Sequence, residues 1–204
     1  MITIVDYGLG NIRAFANVYE RLNIEVRIAQ KADHLRDATK VILPGVGAFD
    51  HAMMQLNSSG MREELERQVM INQVPVLGIC AGMQILARSS DEGVLPGLGW
   101  IDGNVKLFDR SKIQGKPKLP HMGWNTVRPL KENPLMAGLN DGLRFYFLHS
   151  YYFECNDPGN VISTTEYGVT FASAVNHKNV FGIQFHPEKS HSNGIRVLQN
   201  FASL

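Results

Sequence analysis

The chain has 204 residues, 44% of them hydrophobic, with 20 basic and 19 acidic side chains that leave a formal charge of +1. That length suits one globular domain with a substantial core, and the composition leaves little room for disorder. Near-neutral charge without a long basic stripe excludes a surface built to track a phosphate backbone, so no nucleic acid partner is expected.

Met1-Ile2-Thr3-Ile4-Val5 runs into Asp6-Tyr7-Gly8 without the basic region and long apolar stretch of a signal peptide, and no apolar run reaches membrane-spanning length. The expectation is a soluble, cytoplasmic protein with no membrane contact. Up to about Ser90, short β-rich apolar runs alternate with helical spacing, the pattern of a parallel sheet wrapped by helices. Strands are predicted at Ile2 to Val5, Ile24 to Ala29, Lys40 to Leu43 and Val74 to Ile79. Ile12, Phe15, Ala16, Tyr19 and Leu22 mark one face of a helix, and a second helix is predicted around Met61 to Ile71. Beyond Gly99 the segments Trp100 to Phe108, Arg144 to His149, Val161 to Thr165, Ala172 to Asn176 and Val180 to Phe185 read as strands between turn formers, in a more antiparallel half. The basic stretch Arg110 to Lys118 reads as a solvated loop, and Ser190 to Ser203 as a closing helix.

The sharpest local signal is Val76-Leu77-Gly78-Ile79-Cys80-Ala81-Gly82-Met83-Gln84. An apolar strand ends in a nucleophile flanked two residues either side by glycine and followed by helix formers through Arg88, the pattern of a nucleophile elbow with cysteine in place of serine. Glycines are needed there because side chains would collide with the neighbouring strand and helix. A helix N-terminus beside the sulfur favours thiolate, and the Ala81 N–H is available to an oxyanion. The plainer alternative is a structural cysteine between packing glycines. Cys155, the other cysteine, sits in no motif, and a disulfide is not expected.

A second signal ends the apolar run Val180-Phe181-Gly182-Ile183-Gln184-Phe185 with His186-Pro187-Glu188. In an extended segment residues two apart share a face, and Pro187 keeps His186 out of the helical region, so Glu188 is able to orient the ring. Together with a cysteine elbow this makes a nucleophile, a base and its orienter. A third segment, Pro44-Gly45-Val46-Gly47-Ala48-Phe49, follows a strand of the parallel half, where ligands bind, and supplies candidate oxyanion donors. Gly8-Leu9-Gly10-Asn11 starts like a dinucleotide fingerprint but has Arg13 where the third glycine belongs. His121, His149, His177 and the other histidines lack ligand spacing, so no metal site is expected and each reads as a surface or packing residue.

These motifs, with Asp6-Tyr7-Gly8-Leu9-Gly10-Asn11, Pro120-His121-Met122-Gly123-Trp124-Asn125 and Phe145-Tyr146-Phe147-Leu148-His149-Ser150-Tyr151, resemble the glutaminase subunit of imidazole glycerol phosphate synthase over essentially the whole chain. The elbow and the His-Pro-Glu are common to triad (class I) glutamine amidotransferases, and Pro-His-Met-Gly-Trp-Asn is the narrower mark. The resemblance implies the fold of that class: one α/β domain over 1–204, with a mixed, mostly parallel central sheet flanked by helices, plus a small antiparallel sheet. It implies that Cys80 attacks the carboxamide of L-glutamine while His186, held by Glu188, moves protons, and that no cofactor takes part. Gly45, Val46, Gly47 and Ala81 would hold the oxyanion, with the glycine segment reorienting for activity. Gln84, Glu92, Ser150 and Tyr151 would bind glutamine, and Met122, Trp124, Tyr146 and Lys189 would face the synthase and the ammonia exit.

The implied partner is a (β/α)8-barrel cyclase, forming a heterodimer. Chemistry also demands one, because ammonia released into neutral water becomes ammonium, and this chain has no phosphate-binding loop of its own. Pro96-Gly97-Leu98-Gly99-Trp100-Ile101-Asp102-Gly103 and Lys189-Ser190-His191 look more like paralogues that feed ATP-dependent sugar amidotransferases in surface-polysaccharide synthesis. That acceptor stays open, as do a non-catalytic scaffold subunit and a triad hydrolase of γ-glutamyl peptides.

Overall fold

The computed structural model describes residues 1–113, 118–140 and 142–204. The first half alternates as its spacing predicts: β1 (Ile2–Val5), α1 (Ile12–Arg21), β2 (Val26–Ala29), β3 (Val41–Gly45), α2 (Phe49–Ser58), α3 (Arg62–Glu66), β4 (Val76–Cys80) and α4 (Ala81–Gln84). Then come β5 (Ser89–Ser90), β6 (Gly103–Leu107), β7 (His121–Thr126), β8 (Arg128–Pro129), β9 (Arg144–His149), β10 (Tyr151–Cys155), β11 (Val161–Tyr167), β12 (Val169–His177), β13 (Val180–Ile183) and α5 (His191–Ala202).

The main sheet runs β2-β1-β3-β4-β13-β12-β10-β6-β5, with β11 on β12 and β8 on β11. The β2, β1, β3, β4 and β13 ladders are parallel, whereas β12, β10 and β6 join antiparallel. β7 and β9 form a separate antiparallel pair. Alternating strand residues feed two cores. Ile2, Ile4, Ile42 and Ile79 pack with Phe15 and Tyr19 of α1 and Leu198 and Phe201 of α5. Val5, Val41, Leu43 and Val76 pack on the other face with Phe49, Met53 and Leu56 of α2. Among the described residues no helix is long and apolar enough to cross a membrane.

Several predicted elements differ in detail. The helix expected from Met61 to Ile71 breaks at Glu66 into a wider turn over Arg67–Ile71, where the Asn179 side-chain amide donates to the Val69 carbonyl. α2 is not among the predicted helices, although its buried residues Phe49, Ala52, Met53 and Leu56 follow helical spacing. β7 and β10 are also additional, and β7 reads poorly as a strand because Gly123 and Asn125 interrupt it. Arg110–Lys112 of the predicted loop is a short 3₁₀ turn, and 114–117 lies outside the described residues.

The helix after the elbow stops at Gln84 rather than reaching Arg88. Its onward carbonyls are taken from outside: Ile85, Leu86, Ala87 and Arg88 accept from the N–H groups of Leu98, Ile101, Gly99 and Gly97. A loop thereby replaces the next helical turn.

What fixes the elbow is contact with β3. A Cβ on Gly82 would overlap the Leu43 carbonyl, one on Gly45 would overlap the Gly82 nitrogen, and one on Gly78 would crowd the Gly82 carbonyl. These are backbone atoms with nowhere to move. Gly82→Ala is therefore expected to destabilise the fold by about 3 kcal/mol. Urea unfolding checks this, and a loss below about 1 kcal/mol would mean that the contact yields.

Candidate active site

Cys80 ends β4 with φ +56° and ψ −114°, a left-handed conformation that only a tightly held residue keeps. The strain turns its side chain out of the sheet into a cleft of about 310 Å³ lined by Val46, Gly47, Cys80, Ala81, Gln84, Glu92, Pro120, Leu148, His149, Ser150, Tyr151, His186 and Lys189. The sulfur makes two long polar contacts, donating towards the Leu148 carbonyl at 3.9 Å and accepting from the Gln184 amide at 3.9 Å. Ala81 opens α4, so its N–H has no carbonyl to bond within the helix. With only four residues, α4 carries little of the macrodipole expected to favour thiolate. The basic group that shares the cleft with the sulfur is His186.

β13 lies parallel to β4, with Gly182 opposite Gly78 and Ile183 opposite Ile79. The chain leaving β13 thus arrives beside Cys80 and delivers His186. The backbone at His186 is extended (φ −95°, ψ 99°), as Pro187 predicts, but Pro187–Lys189 is a 3₁₀ turn. It is this turn, not an extended strand, that brings Glu188 Oε1 within 3.0 Å of His186 Nδ1. The turn is pinned to β9: His186 N–H donates to the Tyr146 carbonyl at 2.8 Å, Tyr146 N–H to Ser190 Oγ at 3.0 Å, and the Ser190 hydroxyl to the His186 carbonyl at 2.6 Å.

Both side chains of the pair are buried. Among the described residues no hydrogen bond reaches His186 Nε2, the nitrogen turned away from Glu188. Burial by itself pushes the imidazole down, yet the Cys80 sulfur and the Glu188 carboxylate outweigh it and raise the pKa from 6.5 to about 10. Glu92, in the cleft wall, accepts from the Phe49 N–H at 2.8 Å, and burial raises its pKa.

The other predicted residues separate into three groups. Val46 and Gly47 line the cleft, Gly47 with φ +85° and no neighbour against it, while Gly45 belongs to the β3 ladder opposite Cys80. Glu92, Ser150 and Tyr151 also line it, as does Gln84, whose amide nitrogen is occupied by the Tyr151 carbonyl (3.0 Å) and Gln184 Oε1 (3.1 Å). Met122, Trp124 and Tyr146 lie on the β7–β9 pair beside the cleft, not in its lining. Met122 is 61% and Trp124 37% exposed. Trp124 stands opposite Tyr146 in register and stacks on His191, and Lys189 bridges to this group from the cleft rim, its ammonium 5.6 Å from the Tyr146 ring centre.

Gln184 and His149 border the site, although neither is among the site residues that the sequence points to. The available signal for Gln184 is a polar residue inside an apolar run, and it is fully buried. Among the described residues no group of three His, Cys, Asp or Glu side chains is arranged to hold a metal ion.

Because the folded pKa of His186 is raised, its protonated form stabilises the fold fully below about pH 6.5, and that contribution is lost as pH climbs through about 10. Cys80→Ala removes the largest raising influence, so the imidazole is expected to lose its proton at lower pH than in the parent. Proton NMR titration of the His186 ring reads this directly; an unchanged midpoint would show that the sulfur does not charge the base.

The class I glutamine amidotransferase family model matches residues 3–203. The chain is 58% identical to the imidazole glycerol phosphate synthase subunit HisH of Bdellovibrio bacteriovorus and 51% identical to that of Leptospira interrogans, in both cases over 100% of each chain. Among solved structures it superposes on PurLQS from Thermotoga maritima with a TM-score of 0.75 at 20% identity, covering 99% of this chain and 97% of that one. A crystal structure of a glutamine amidotransferase gives a TM-score of 0.74 at 20% identity, covering 100% and 99%. A sulfur on a strained elbow beside a buried imidazole–carboxylate pair, in a chain matched end to end, leaves one assignment: this protein belongs to the class I glutamine amidotransferases and, within them, to the HisH family.

Proposed function

We propose that this chain is the glutaminase subunit of an imidazole glycerol phosphate synthase, working in the cytoplasm as a single domain. The observation that carries the reading is Cys80 on its strained turn, facing a cleft that His186 also lines, with Glu188 bonded to the far side of the ring. The Cys80 thiolate, paired with imidazolium, attacks the carboxamide carbon of L-glutamine, and the carbonyl oxygen gains the negative charge. N–H groups of Ala81 and of the Val46–Gly47 segment receive that oxyanion; Gly47, with no side chain and open space where one would stand, lets the segment turn to do so. His186 passes its proton to the leaving nitrogen and ammonia departs, leaving a thioester. The neutral ring then takes a proton from water, whose oxygen attacks the thioester; the C–S bond breaks, which restores the thiolate–imidazolium pair, and the acid formed leaves as glutamate with its proton lost to solvent. Glu92, Ser150 and Tyr151 hold the amino-acid end of glutamine, and Gln84 braces the Tyr151 carbonyl from behind.

Ammonia passes to a (β/α)8-barrel cyclase bound as a heterodimer on the face carrying Met122, Trp124, Tyr146 and Lys189. There it is consumed in making imidazole glycerol phosphate and aminoimidazole carboxamide ribotide, in histidine biosynthesis. The relatives named HisH support this acceptor.

Cys80→Ala is expected to lower glutamine hydrolysis about a thousandfold or more, with folding and partner binding retained. Hydrolysis near the parental rate would remove Cys80 as the nucleophile. Purification of the tagged chain from its own cells is expected to bring down a barrel cyclase. Recovery of an ATP-using sugar amidotransferase instead would reassign the acceptor while leaving the glutaminase chemistry as it stands.

A further inference from the structure

At the cleft wall, two histidines face each other across β7 and β9, His149 in the lining and His121 behind it. His121 and His149 are partners in the register, both are buried, and His121 Nδ1 lies 2.9 Å from His149 Nε2. The surrounding bonds fix which nitrogen carries each proton. His149 Nδ1 is 2.7 Å from the Tyr151 carbonyl, an acceptor only, so Nδ1 holds the hydrogen and Nε2 accepts. His121 must then donate from Nδ1 and accept at Nε2.

Asn125 supplies that last bond. Its carbonyl oxygen is taken by the Thr126 N–H at 2.7 Å, which orients the amide. One N–H goes to the Glu166 carbonyl at 2.9 Å and the other to His121 Nε2 at 3.1 Å. Each ring thus spends one donor and one acceptor, and a second proton on either would set N–H against N–H. Burial accordingly lowers the pKa of His121 to about 4 and of His149 to about 3, with the facing His121 and, less, the neighbouring His186 adding to the effect on His149.

The chain of bonds has a direction. Along β7, His121 and Asn125 point inward while Met122 and Trp124 point to the exposed face. At the other end the Tyr151 carbonyl takes both His149 and Gln84, across the corner that holds Ser150 in the cleft. We propose that His121 and His149 are positioning residues, a ring-to-ring tie through which the exposed strand β7 holds the Ser150–Tyr151 wall of the substrate cleft in place. The inference rests on the glutaminase reading above, since it is for glutamine that the wall is positioned.

The test uses the chain in complex with its co-purified synthase. His121→Phe keeps a ring between Phe147 and Tyr167, where the imidazole now stacks, but removes both hydrogen bonds. It is expected to raise the glutamine KM about tenfold while kcat changes less than about twofold, the effect of losing a neutral hydrogen bond that only orients. His121→Asn, whose amide nitrogen replaces Nδ1, is expected to bring KM back to within about threefold of the parent. A KM for His121→Phe within about twofold of the parent, or equal losses in the two variants, would overturn the proposal.

Should His121→Phe fail to fold, imidazole nitrogen-15 shifts of the unmodified protein decide the matter. Two neutral rings protonated at Nδ1 support the tie; an imidazolium or an Nε2–H form in either ring refutes it. Failure of the unmodified complex to hydrolyse glutamine would instead overturn the glutaminase reading, and the nitrogen shifts would still judge the tie.

Discussion

Everything at the site depends on how closely one short helix presses against one strand. Backbone meets backbone where Gly82 crosses Leu43 and where Gly45 faces the Gly82 nitrogen, with no side chain between them. Only at that spacing is the chain forced to reverse at Cys80 with a positive φ, and only that reversal turns the sulfur out of the sheet. The strain is maintained by the ladders on both sides of β4, which pair it with β3 and β13.

The same sheet order closes the distance between nucleophile and base. Inserting β13 next to β4 converts two remote segments into neighbours in parallel register, so His186 leaves its strand where Cys80 leaves its own. Since α4 is a single turn, helix electrostatics contribute little, and the imidazole is the group that the fold sets against the sulfur. That makes the placing of the His186–Glu188 turn decisive, and the placing is done by main-chain and hydroxyl bonds to Tyr146 and Ser190.

Much of this is legible in the amino-acid sequence. The elbow glycines, the strand ending in His-Pro-Glu and the alternation of the first half depend on local sterics and hydrophobic spacing, and local patterns report them well. What the sequence does not reveal is set by distant neighbours. Whether helix continues beyond Gln84 is decided by a loop that takes its carbonyls, and the turn at Arg67 by Asn179. The residue spacing predicts the reach of Glu188 to His186, but by an extended route, because a 3₁₀ turn after proline leaves little trace in sequence. His121 and His149 read as surface or packing residues: spacing tests for ligands find nothing there, and their pairing arises only when β7 and β9 come together.

The loop that substitutes for the missing helical turn sets where this protein is open to alteration. With the N–H groups of Gly97, Leu98, Gly99 and Ile101 stitched to the end of the elbow, and Asp50 holding Val94 and Leu95 by their N–H groups, the segment carrying Glu92 is anchored at both its base and its tip. Its backbone has no slack, but the Val94 side chain projects almost fully into solvent. A fluorophore or cross-linker attached at that one position would ride two residues from Glu92 of the cleft lining, on a frame continuous with the nucleophile, without unpicking any of the stitches.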